Sequence, residues 1–67
     1  MKYQNITREF KEWLKRKNTK IAQRCLKVLD KDITTIWKSE EGWIEIDGVL
    51  TPDYLYNQIK LFEKEVE

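Results

Sequence analysis

Ile33-Thr34-Thr35-Ile36-Trp37-Lys38-Ser39-Glu40-Glu41-Gly42-Trp43-Ile44-Glu45-Ile46-Asp47 decides the fold class of this chain. Read as more of the helix that precedes it, the run from Ile33 to Lys38 would only lengthen that helix. Read as strand, loop and strand, it makes a hairpin. Ile33 to Trp37 is β-branched or aromatic, which suits a half-buried pleated surface, and Trp43 to Asp47 resumes alternation. Ser39 to Gly42 supplies a loop with Gly at its last position, a register that sets Lys38 opposite Trp43 and Trp37 opposite Ile44. One face then collects Ile33, Thr35, Trp37, Ile44 and Ile46. The other collects Thr34, Ile36, Lys38, Trp43, Glu45 and Asp47.

Upstream, the period changes. Ile6, Phe10, Trp13 and Leu14 recur at the spacing of one helix face with Arg8, Lys11 and Lys15 opposite, so helix one is predicted over about Asn5 to Lys17, with Asn5 or Thr7 capping it. Asn18-Thr19 is a short polar break. From Lys20, a strand would mix polar and apolar residues on both faces. A helix gathers Ile21, Ala22, Cys25, Leu26, Val28 and Leu29 into one arc and Lys20, Gln23, Arg24, Lys27 and Lys31 into the other. Carried past Lys31, that helix would place Asp32 in its apolar arc, so it is predicted to end near Asp30 to Asp32.

Downstream, Asp47-Gly48 marks a turn. Thr51-Pro52-Asp53 opens a third helix to about Glu65, with a capping hydroxyl, Pro at the first position and an acid at the positive end of the helix dipole. Its apolar stripe is Leu55, Ile59, Phe62 and Val66, with Tyr54 and Leu61 on another side. The expected fold is α+β, a single small domain spanning residues 1–67 in the order helix, helix, β-hairpin, helix.

The 67 residues leave little room for a core, and three Trp supply apolar area that helps to fill it. Cys25 is the sole cysteine, so no disulfide staples the chain, and a cytoplasmic setting is expected. Neither an apolar leader nor a run long enough to span a bilayer is visible, so no membrane role is expected.

Chemistry is sparse. The chain has no His, and with it go the usual imidazole base and metal ligand. Cys25 falls on the apolar arc of helix two, where a thiol is packing. Glu45, Asp47 and Asp53 lack a loop of fixed ligand spacing, and no phosphate loop or nucleophile motif is present. No enzymatic activity, metal or cofactor is expected.

Charge is more informative than motif. Residues 1–31 carry ten cations against three anions, a balance of +7, while residues 32–67 carry three against nine, a balance of −6. Arg8, Lys11 and Lys15 on helix one, Lys17 and Lys20 at the break, and Arg24, Lys27 and Lys31 on helix two would line up as one cationic band if the helices pack through their apolar faces. Such a band suits a phosphate backbone, which releases counterions on neutralisation. The expected function is a nucleic-acid-associated or regulatory module. The alternative is a protein-binding adaptor or inhibitor that docks through Ile36, Lys38, Trp43 and Glu45 on the hairpin and Tyr54 and Leu61 on the last helix. Pairing of basic and acidic halves also leaves a homodimer open.

Lys20-Ile21-Ala22-Gln23-Arg24-Cys25-Leu26, followed by Ile33, Ile36 and Trp37, is faintly similar to a helix-turn-helix regulator. No Gly occupies the turn, however, and Asp30, Asp32, Glu40 and Glu41 would bring acids to the phosphates. No family membership follows from it.

Overall fold

The computed structural model describes residues 2–32, 34–48 and 51–66, and the side chains of Asp32 and Val66 lie outside that description. Its elements are β1 (Tyr3–Asn5), α1 (Thr7–Lys17), α2 (Lys20–Asp32), β2 (Thr35–Ser39), β3 (Ile44–Asp47) and α3 (Asp53–Val66). The fold is α+β, with the three strands forming an antiparallel sheet in the order β1-β2-β3. Ile33, expected to start the hairpin, lies outside the described residues.

β1 corrects the expected start of helix one. Tyr3, Gln4 and Asn5 pair with Ser39, Lys38 and Trp37 of β2. The chain then turns at Ile6, whose N–H donates to the Ile36 carbonyl at 2.9 Å. The N-cap position of α1 falls on Ile6, not on Asn5 or Thr7 as expected, and Asn5 in the strand before it forms a local turn, its side-chain oxygen accepting from the Thr7 N–H at 3.0 Å and from the Thr7 hydroxyl at 2.7 Å. Asn18, in the left-handed region at φ 52°, closes α1. The Thr19 hydroxyl then accepts from the Ala22 N–H at 3.0 Å and opens α2.

The hairpin register also differs from expectation by one residue. Lys38 pairs with Ile44, Trp37 with Glu45, Ile36 with Ile46 and Thr35 with Asp47. The Ser39 N–H donates to the Trp43 carbonyl at 3.0 Å, so the loop is the three residues Glu40, Glu41 and Gly42. Gly42, at φ 98°, explains the shorter loop, because a turn followed by a residue of positive φ is the usual three-residue hairpin connection. The slip exchanges Ile36 for Trp37 on the inner face.

Helices cover that inner face only. Ile36 is fully buried with Phe10 and Leu14 of α1, Cys25 and Leu29 of α2, and Leu55 and Ile59 of α3, and Ile44 and Ile46 pack against the same core. Phe10, Trp13 and Phe62 form an aromatic cluster whose ring centroids lie 5.4 to 5.9 Å apart. These rings deliver much of the apolar burial that a short chain needs. Lys17 lies over the Trp13 ring at 5.5 Å and pairs with Glu65, fastening the end of α1 to the end of α3. Lys38 reaches Glu63 of α3 at 3.6 Å, which marks the even-numbered residues of β2 as the helix side.

Candidate nucleic-acid interface and the open sheet face

Lys20, Arg24, Lys27 and Lys31 recur every three or four residues along α2, opposite buried Ala22, Cys25 and Leu29. At 3.6 residues per turn they share an arc of about 60° and run along about 16 Å of helix. All four are exposed. Among the described residues no carboxylate pairs with any of them.

The α1 side of the expected band is mixed. Lys11 donates to Asp30 at 3.1 Å across the seam between α1 and α2, and Arg8 pairs with Glu12 at 3.5 Å one turn along α1. Lys17 is held by Trp13 and Glu65. Lys15 is exposed and, among the described residues, unpaired. An open depression of about 600 Å³ along α1 is lined by Arg8, Lys11 and Lys15, but also by Glu9 and Glu12. The band is therefore interrupted at the seam, where Asp30 sits, and its carboxylate-free part is the outer stripe of α2.

The residues expected to form a protein-docking patch are divided between two faces. Ile36 is core and Lys38 meets α3, so neither lies beside Trp43. Tyr54 packs partly against the core, whereas Leu61 is exposed. Trp43 and Glu45 are exposed on the side of the sheet that no helix covers.

That side carries two residues which sequence reasoning left out. Register places Tyr3, Ser39 and Trp43 in one row and Asn5, Trp37 and Glu45 in the next. Alternation in the sequence predicts Trp37 on the face of Ile44 and Ile46, whereas the register sets it on the other face, and Tyr3 falls in a strand that the sequence does not signal. The glycine at the end of the loop was the available sign of the true register. For Tyr3 there was none, because three residues carry no usable period.

Ile36 and Trp37, which the helix-turn-helix likeness needs in a helix, lie instead in the central strand Thr35–Ser39. Comparison with protein-family models, with curated proteins and with solved structures gives no match. Among the described residues no three His, Cys, Asp or Glu side chains are grouped to hold a metal ion, and no helix is long and apolar enough to cross a membrane.

Proposed function

We propose that this chain is a non-enzymatic binding module that grips a nucleic-acid phosphate backbone through α2. The observation that carries the reading is the stripe of Lys20, Arg24, Lys27 and Lys31, exposed and free of carboxylate partners among the described residues. A helix face of this kind is sized for a duplex groove, and its cations neutralise phosphates without reading bases. On α1, Lys15 is a further exposed cation, unpaired among the described residues. Arg8 is also available to a phosphate, because an exposed pair such as Arg8 with Glu12 competes weakly with one.

Titration of duplex DNA and duplex RNA across a salt series tests it. Affinity falls steeply as salt rises, and replacing Lys20, Arg24 and Lys27 together by Gln lowers the slope of log affinity against log salt by about 2 to 3. No complex with either duplex at low salt removes the reading.

A further inference from the structure

The uncovered face of the sheet joins aromatic rings to carboxylates and, among the described residues of its strands, carries no cation. By strand alternation its residues are Tyr3 and Asn5 of β1, Thr35, Trp37 and Ser39 of β2, and Glu45 and Asp47 of β3, with Trp43 just ahead of Glu45. Tyr3 is 41% and Trp43 48% exposed, a large apolar area to leave in water. Ser39 is small and lies between them in the same row, its hydroxyl accepting the Trp43 N–H at 3.2 Å. Ser39 is itself buried in that row, and beside it Tyr3, Trp37 and Glu45 line an open depression of about 400 Å³. Glu40 and Glu41 add negative charge at the loop that ends the hairpin.

We propose that this face docks a basic, extended segment of a partner protein, with an Arg or Lys side chain laid over the Trp37 and Trp43 rings and its charge met by Glu45. Aromatic faces attract cations through their quadrupole, and a carboxylate beside them adds direct attraction. The same carboxylates repel phosphates, so a nucleic acid stacking its bases here is disfavoured. This site is separate from the α2 stripe and stands whether or not that stripe binds a polyanion.

The test uses a capped peptide alternating Gly and Arg, followed through the indole and amide resonances of the folded chain. The peptide shifts the indole signals of Trp37 and Trp43 and the amides of Tyr3 and Glu45, and leaves the Trp13 indole in place. Glu45→Lys weakens binding by about tenfold or more with an unchanged melting temperature, and Trp43→Ala weakens it as well. Glu45→Gln, a smaller change at the same exposed position, gives an intermediate loss. Equal binding by Glu45→Lys overturns the proposal. So does preference of this face for a Gly-Glu peptide or a thymidine oligonucleotide. Self-association abolished by Glu45→Lys overturns it too, since a second copy would then be the occupant.

Discussion

The Thr7 hydroxyl accepts the backbone N–H of Ile36 at 2.8 Å, while the Ile6 N–H donates to the Ile36 carbonyl. Together they extend the β1 ladder beyond its last strand residue and tie the first turn of α1 to the middle of the central strand. A side chain thereby does what further strand pairing would otherwise do.

Thr7→Val keeps the shape of the side chain but leaves the part-buried Ile36 N–H without its acceptor. Destabilisation of about 1–3 kcal/mol is expected. Urea titration reads it as a lower midpoint, and Thr7→Ser should recover most of the loss. A Thr7→Val midpoint equal to the parent's would deny the hydroxyl this role.

Gly42 tests the hairpin register. A Cβ added there meets no atom within 4 Å, so the cost of Gly42→Ala is backbone strain at φ 98° alone. We expect about 1–2 kcal/mol, and less for Gly42→Asn, which tolerates positive φ better. Thermal unfolding of the two variants gives the comparison, and an Ala variant as stable as the parent would argue against the three-residue loop.

Cys25 is fully buried, and desolvation pushes its thiol up to about 11 from 9.0. A raised value means that the folded chain holds this proton more tightly than the unfolded chain. The stability it contributes is intact below pH 9 and is lost as pH rises through the window from 9 to about 11. Cys25→Ala should therefore lose less stability across that window than the parent does. At neutral pH the native thiol should resist alkylation and react only on unfolding.

Asp30 provides an independent check on the α2 stripe. Its carboxylate occupies Lys11 in the seam. Asp30→Asn removes a negative charge next to the stripe and releases a cation, so affinity for duplex nucleic acid at low salt should rise about two- to fivefold. Stability should change by less than about 1 kcal/mol, since the Asp30 side chain is largely exposed. A fall in affinity would place the binding surface elsewhere.

Much of the fold was legible because helices declare themselves locally. Phe10, Trp13 and Leu14 on α1, Ala22, Cys25 and Leu29 on α2, and Leu55, Ile59 and Phe62 on α3 recur at helical spacing and are all buried. Of the candidate sites, the α2 stripe was equally legible. Lys20, Arg24, Lys27 and Lys31 share a helix side by spacing alone.

What lay outside the sequence were the properties that depend on partners distant along the chain. Tyr3–Asn5 is a strand only because Trp37, Lys38 and Ser39 present it with an open ladder. Whether Trp37 faced the core or solvent turned on a one-residue choice of register, set by Gly42 and by the better burial of Ile36 against the helices. The sequence by itself determined the three amphipathic helices, the hairpin between the second and third, and the separation of charge along the chain. Tertiary structure alone decided which cations meet a carboxylate and which sheet face stays bare, because a strand's side chains take their sides from their neighbours and an ion pair needs both partners brought together in space.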